Sequence, residues 1–395
     1  MSQEQHTGLL LLGVGGGGCR LAAAVSAAYG GGLRALGVDT DALSNRQASA
    51  GGMTTLLLGG ARLAGHGTGG DAIQGRLAAQ DDLQNLGPHL QWVRTVVVTA
   101  CLGAGTGGGA TPEIVKTLHD MGVATICFVT KPFAFEGEAR RSSAERVLPM
   151  IEESADSMVV VALDDLFADL GGLAVDEAMR QADAILSTGI TLLWRLVTKP
   201  GFIRLDPERL HAMVIKGGNA RFCCASAQGA DRAAQAAAAL RSCRLLGPRD
   251  TLSKASAMLL GVLAGPDLRL AEIGEVMAKV RAFCRPECVL EMGTVLDGAY
   301  EGRLELVAMA FESWAAAAPA VEVRKEASAA AEPPVADDFP IQPGTRKSRA
   351  AKGGASKLSY GATGRGKFQN VEPTIFHGQD LDIPTFVRRG IQLER

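Results

Sequence analysis

At 395 residues, with 47% hydrophobic and 21% charged, the chain has the composition of a globular protein long enough for two or three domains. A net charge of −2 gives no overall field to recruit nucleic acid, and none is expected as a partner. The N-terminus lacks a basic region and no run approaches the roughly 20 apolar residues that cross a bilayer, so a cytoplasmic protein without direct membrane insertion is expected.

Apolar runs at Leu9–Val14, Leu33–Val38, Thr95–Thr99, Ala124–Val129 and Met158–Ala162 read as buried strands, each bounded by polar residues or glycine. Helix-length segments such as Pro112–Met121 and Arg140–Glu153 alternate with them, which predicts a parallel, doubly wound sheet. Ligands on such sheets sit at the carboxyl ends of the strands. The glycine runs near 13–18, 59–75 and 103–109 fall there.

Val175–Thr198 reads as one long helix. Asp176 and Glu177 suit the positive end of the helix dipole. Met179, Ala182, Leu186, Ile190, Leu193 and Val197 recur at helical steps, and Lys199-Pro200-Gly201 stops the run. About 24 residues span roughly 36 Å, enough to join two domains. From 201 to about 315 a second unit is expected, with strands at Met258–Leu263, Cys288–Met292 and Leu304–Ala310.

Residues 316–370 collapse into Ala, Pro, Gly and charge and read as a disordered linker. Its stretch from Arg346 to Lys367 has seven Lys/Arg and no acid: a solvated spacer, or a weak polyanion contact. Val371–Leu393 regains apolar residues and has the look of a short recognition peptide. Eight cysteines are scattered along the chain. Cys284 and Cys288 have no nearby partners to complete four ligands, so reduced thiols and no protein-built metal centre are expected.

The first glycine loop, Gly13 to Gly18, follows one strand and precedes the helix-like Arg20–Ala28. Alone it is compatible with any phosphate or dinucleotide cradle, including that of an oxidoreductase. The third loop, Gly103-Ala104-Gly105-Thr106-Gly107-Gly108-Gly109, puts a second cradle on the same sheet and closely resembles the GGGTGTG signature of the FtsZ/tubulin superfamily. Val38-Asp39-Thr40-Asp41, Gly65 to Asp71, Thr130-Lys131-Pro132-Phe133-Ala134-Phe135-Glu136-Gly137 and Pro200-Gly201-Phe202-Ile203 are similar to further motifs of that family, in its order. Asp380 to Arg389 resembles its C-terminal recognition peptide.

The resemblance implies an α/β, tubulin/FtsZ-like fold. Its parts would be a Rossmann-like parallel-sheet GTPase domain at 1–174, a long central helix at 175–200, an α+β domain at 201–315, a disordered linker at 316–370 and a tail peptide at 371–395. It implies GTP/GDP with Mg2+ as cofactor. The implied nucleotide contacts are Gly16, Gly17, Gly18, Cys19, Arg20, Gly70, Gly103, Gly105, Thr106, Gly107, Gly108, Glu136, Arg140, Met179 and Asp183. It also implies head-to-tail filaments of a cytokinetic ring at midcell, with 380–389 docking on a division-ring membrane anchor.

The chain departs from the family pattern at several points. Arg20 replaces the usual Asn, and either pairs with a phosphate or is solvated. Leu163 stands where the family has an Asn. Asp183 falls one residue early for reading guanine, and either accepts from the base after a small helix rotation or is solvated. Met179 replaces a base-stacking Phe, and Gly108 a hydroxyl residue. In the loop that enters the neighbouring subunit's pocket, Asp206 survives beside Glu208, and these are the candidate catalytic carboxylates. Arg204 and Arg209 replace an Asn and an Asp. Asp206-Pro207-Glu208 is equally a helix start with Asp as its cap. A slow GTPase is therefore expected, with a filament protein of weak or absent activity, co-assembling with a typical paralogue, as the alternative.

Overall fold

Leu9–Val14 forms strand β1 and is buried along its whole length. Leu9 and Leu11 join one core cluster while Leu10, Leu12 and Val14 join another, so the strand is covered on both faces. This is why its sequence is a continuous apolar run rather than an alternating one. The computed structural model describes residues 8–312, apart from 31, 171, 200, 216 and 248–250, together with 375–376 and 379–380.

In chain order β1 is followed by β2 (Ala35–Asp39), β3 (Thr54–Leu57), β4 (Thr95–Cys101), β5 (Ala124–Lys131) and β6 (Ser157–Ala162). Then come β7 (Gly218–Gln228), β8 (Ala257–Ala264), β9 (Val289–Leu296) and β10 (Arg303–Phe311). They form one sheet in the order β3-β2-β1-β4-β5-β6-β7-β10-β8-β9. Pairing is parallel from β3 to β7, as the alternation predicts, then antiparallel across β7, β10 and β8, and parallel again between β8 and β9.

Two strands escape the sequence reading. β3 has only four residues and a partly exposed edge position. β7 is built of small and polar residues, Gly-Asn-Ala-Arg-Phe-Cys-Cys-Ala-Ser-Ala-Gln. It becomes a strand because β10 pairs with it from Ala220 to Gln228, while β6 pairs with only Gly218–Ala220. Through β7 the sheet runs unbroken between the two regions the sequence separates.

The helices are α1 (Gly15–Tyr29), α2 (Ala42–Ala50), α3 (Gly60–Leu63), α4 (Ala72–Asp82), α5 (Gly105–Asp120) and α6 (Glu138–Glu152). They continue with α7 (Leu163–Leu170), α8 (Val175–Thr198), α9 (Pro207–Val214), α10 (Arg232–Arg241), α11 (Thr251–Lys254) and α12 (Leu270–Phe283). Two begin earlier than expected. α1 starts at Gly15 rather than Arg20, and α5 at Gly105 rather than Pro112, so the glycine runs are first helical turns and not only loops.

The long helix α8 has the predicted limits and lies beside α1, both running away from the carboxyl edge of the sheet. Arg20 Nε reaches Asp183 Oδ2 at 2.7 Å near their starts. Arg195 Nη2 donates to the Ala28 carbonyl at 2.8 Å, and Tyr29 and Thr198 share a hydroxyl bond of 2.7 Å near their ends. Leu186, Ile190 and Leu193 bury the stripe between them at 3% exposure or less. Each such leucine or isoleucine contributes about 1.5–3 kcal/mol of burial, so α1 and α8 should move as one body.

In the region after α8, the Arg232 side chain is 5% exposed and bridges Asp267 and Glu272 at 2.6 Å each. Ile375–Phe376 and Gln379–Asp380 pair as two short antiparallel strands. The expected linker at 316–370, and the tail peptide apart from those residues, lie outside the described residues.

Candidate functional site

A cleft of about 480 Å³ opens at the carboxyl ends of β1, β2 and β4. Gly15–Gly17 from the start of α1 and Gly103–Gly107 from the start of α5 line it, with Thr40, Asp41 and Ser44 after β2, His66–Gly70, and Ala139, Arg140 and Ser143 of α6. The two glycine runs meet directly. At Gly15, whose φ is +70°, an added Cβ would come within 2.8 Å of the Gly107 nitrogen. At Gly105 an added Cβ would fall 2.0 Å from Thr68 Oγ1, so only hydrogen fits there.

The helix termini around this cleft differ in their caps. Asp41 caps α2 by accepting from the Leu43 N–H at 2.8 Å, and Asp71 caps α4 by accepting from the Ile73 N–H at 2.8 Å. By contrast α1 begins after Val14, α5 after Ala104 and α6 after Gly137, none with a side-chain cap. The first amides of a helix have no intrahelical acceptor and carry the positive end of its dipole. The helices whose glycines line the cleft are thus the ones whose terminal donors remain open, and an anion satisfies them. Beneath them Thr40 and Thr106 share a buried hydroxyl bond of 2.7 Å, fixing the α5 turn to the end of β2.

Of the residues singled out in the sequence, Gly16, Gly17, Gly70, Gly103, Gly105, Thr106, Gly107 and Arg140 line this cleft. Gly18 lies beneath it, where an added Cβ would meet the Thr99 carbonyl at 2.3 Å. The Cys19 side chain does not face the cleft: its Sγ donates weakly to the carbonyls of Gly13 at 3.5 Å and Val38 at 3.8 Å, inside the core. Burial pushes that thiol up to about 12. Gly108 faces a neighbouring groove with Arg76 and Arg146. Met179 is half-buried against the core.

Arg20 and Asp183 take a form that neither sequence alternative anticipated: they are partners. Arg20 Nε and Nη2 donate to the two carboxylate oxygens at 2.7 and 3.3 Å, a forked pair joining α1 to α8. Asp183 raises the Arg20 pKa against the opposing effect of burial, which is the largest influence on it. Cys101, half-buried, lines the cleft, whereas Arg20 and Asp183 do not. Desolvation holds that thiol protonated, above its ordinary value, and it is no nucleophile. Glu136 likewise accepts from Arg140 at 2.6 Å and from the Phe133 N–H at 2.9 Å.

The candidate catalytic residues stand at the far end of α8. Asp206 caps α9, accepting from the Glu208 N–H at 2.8 Å with Pro207 in the first turn. Glu208 is ion-paired with Arg94, which immediately precedes β4, at the opposite end of that strand from the cleft. Neither carboxylate lines the cleft of its own chain. Sequence reasoning left out Ser44, Cys101, Ala139 and Ser143 as cleft residues. Ser143 had a signal, since it stands three residues after Arg140 on the same helical face. Among the described residues no group of three or more His, Cys, Asp or Glu is placed to hold a metal, and no helix is long and apolar enough to cross a membrane.

Residues 9–170 match the Tubulin/FtsZ family, GTPase domain, and residues 218–312 match the FtsZ family, C-terminal domain. The chain is 31% identical over 301 residues to the cell division protein FtsZ of Pseudomonas putida, covering 76% of this chain and 75% of that one. It is 31% identical over 335 residues to cell division protein FtsZ 2 of Rhizobium meliloti, covering 84% and 96%. Among solved structures it is similar to an empty FtsZ dimer from M. jannaschii, with a TM-score of 0.72 and 26% identity over 77% of this chain and 87% of that one.

Proposed function

The chain belongs to the tubulin/FtsZ family of GTPase cytoskeletal proteins, and on that premise we propose that it binds GTP or GDP in the cleft between α1 and α5 and polymerises head to tail. The role we assign is the cytokinetic ring at midcell in a bacterial cytoplasm. The observation that carries this reading is the convergence of two uncapped helix N-termini on one cleft. Among these side chains there is no lysine, so backbone amides and helix dipoles are the main phosphate donors. Gly15–Gly17 and Gly103–Gly107 hold the phosphates, Gly70 lies by the terminal one, and Arg140 with Glu136 stands at the ribose side. Gly18, Cys19 and Gly108 contribute only backbone. Met179 and the Arg20–Asp183 pair form the base end.

The donor set fits a magnesium ion held chiefly through the nucleotide. Asp41 is half-buried and Asp39 buried among the carboxylates of the cleft wall, and Mg2+ keeps waters and draws on phosphate oxygens where protein ligands are few. Bound there, the ion neutralises charge on the transferred phosphate. We take the functional segments as a nucleotide domain at 1–174, the connecting helix to 200, and a second domain to 315. A tail docks through 380–389 on a membrane-tethered division partner.

Hydrolysis is expected to be slow. A water attacking phosphate needs a group that orients it and takes its proton. Asp206 is committed to a cap, Glu208 to Arg94, and Arg209 donates through Nε to Glu291 at 2.9 Å. These ties favour the reading of a filament protein with a weak GTPase. Titration of the dilute full chain with labelled GTP, ATP and NAD, followed by phosphate release above the assembly threshold, tests the whole reading. Preferential GTP binding with turnover well below one per minute is expected. Equal affinity for NAD, or binding without any nucleotide-dependent assembly, would refute it.

A further inference from the structure

The short turn between α12 and β9 brings two thiols together. Arg285-Pro286-Glu287-Cys288 closes on itself, with the Cys288 N–H donating to the Arg285 carbonyl at 3.0 Å and proline where its fixed φ favours a turn. Arg281, in the last turn of α12, clamps both sides of it. Its carbonyl accepts the Cys284 N–H at 3.2 Å, and its Nη1 donates to the Cys288 carbonyl at 2.8 Å. Cys284 and Cys288 are thereby held against one core cluster, and their thiols share a hydrogen bond. Cys284 is half-buried, while Cys288 is 3% exposed.

The surroundings favour one negative sulfur. The bond from Cys284, with the charges of Arg281 and Arg285, lowers the Cys288 thiol to about 7 against the opposing effect of burial. Cys284, as the donor, keeps its proton. Arg285 points the same way, since its Nε is buried and has no hydrogen-bond partner among the described residues. A buried donor left open is unfavourable, and a thiolate beside it relieves that. Glu287, the acid of the turn, is exposed.

We propose that Cys284 and Cys288 form a redox-active dithiol, which closes to an intramolecular disulfide with a low-molecular-weight disulfide as its oxidant. Cys284 is the sulfur such an oxidant reaches. It attacks one sulfur of the external disulfide as its proton passes to Cys288, and the first external thiolate leaves. Cys288 then releases its proton to water and attacks Cys284 Sγ, expelling the second external thiolate. The two cysteine sulfurs lose two electrons and the external disulfide gains them, so a reducing thiol reverses the exchange. Where a protein's other cysteines are free, as they are here, a closing pair of this kind is a redox sensor or catalyst. The dithiol needs no bound nucleotide.

The test incubates the full chain with glutathione disulfide, alkylates the remaining thiols and reads the proteolytic peptide 282–303 by mass spectrometry. The parent peptide is expected to lose two hydrogens and to regain them with dithiothreitol. Its rate of closure should rise with pH through about 7 rather than through the ordinary 9. Cys288→Ser should stop at a glutathione adduct on Cys284, whereas Cys284→Ser should leave Cys288 reacting about tenfold more slowly or not at all. Arg285→Gln should slow closure several-fold and move its pH rise upward, and Arg285→Lys should recover part of the rate. Two free thiols in the parent peptide at equilibrium, or a glutathione adduct on Cys284 of the parent that never closes, would overturn the proposal. So would a Cys288 that reacts as fast in Cys284→Ser as the pair does in the parent.

Discussion

The two ends of α8 differ in what they leave open. At the cleft end, donors are left open: α1 and α5 start without side-chain caps, and Gly15 and Gly105 stand where no side chain fits. At the loop end, charges have been closed off, with Glu208 on Arg94, Arg209 on Glu291 and Asp206 on its own helix. A site made of backbone survives sequence change as long as glycine does. A site made of side chains is lost as soon as a neighbour offers a better local partner.

The largest effect is expected where the cleft is tightest. Gly105→Ser should weaken GTP binding by about 10²-fold or more, because its side chain must displace Thr68 or the α5 turn. Fluorescence titration of the monomer reads this, and unchanged affinity would show that the open helix ends are not the phosphate site.

Next in size is release of the loop carboxylate. Arg94→Ala frees Glu208, and turnover per assembled subunit should rise about tenfold if Glu208 can then order water. Arg94→Ala with Glu208→Gln should cancel the gain, and a rise that survives in the double variant would rule Glu208 out. Restoring a carboxylate by Arg209→Asp is a poorer test, since it faces Glu291 with like charge.

A smaller change follows at Thr106. Thr106→Ala removes the 2.7 Å bond to Thr40 and loosens the α5 turn, which at about 0.5–1.5 kcal/mol is a few-fold in GTP affinity. Loss as large as that of Gly105→Ser would mean the hydroxyl itself contacts the ligand.

Least is the pH response of the loop end. Burial, aided by the Arg94 charge, lowers the His211 pKa below its ordinary 6.5, against the opposing pull of Glu208 and Asp156. The folded state therefore prefers the neutral ring. Its stability contribution is full above pH 6.5 and declines as pH falls through the depressed value. A modest drop in Tm between pH 7 and 5 is expected in the parent and should be reduced in His211→Gln. Equal drops would place the acid sensitivity elsewhere.

Much of this was legible beforehand, for reasons that differ by element. The parallel strands stand out because burial on both faces demands unbroken apolar runs, and α8 because its stripe, acidic first turn and Lys199-Pro200-Gly201 stop agree. The glycine runs mark the cleft because close backbone approach has few other residues available to it. β7 was not legible, since small and polar residues carry no period, and it is a strand only by pairing with β10.

By itself, then, the sequence determined the family, the layered order of strands and helices, and the location of the glycine-lined cleft. Those depend on local pattern: periodicity, punctuation and the absence of a Cβ. Only the tertiary structure decided which charges are spent. Arg20 meets Asp183, Arg94 meets Glu208 and Arg209 meets Glu291 across 163, 114 and 82 residues of chain, and no local spacing encodes such partners. Whether a charged side chain is a reader or a strut depends on what the fold sets within 3 Å of it, because a carboxylate or guanidinium with a fixed partner nearby has little left to offer a ligand.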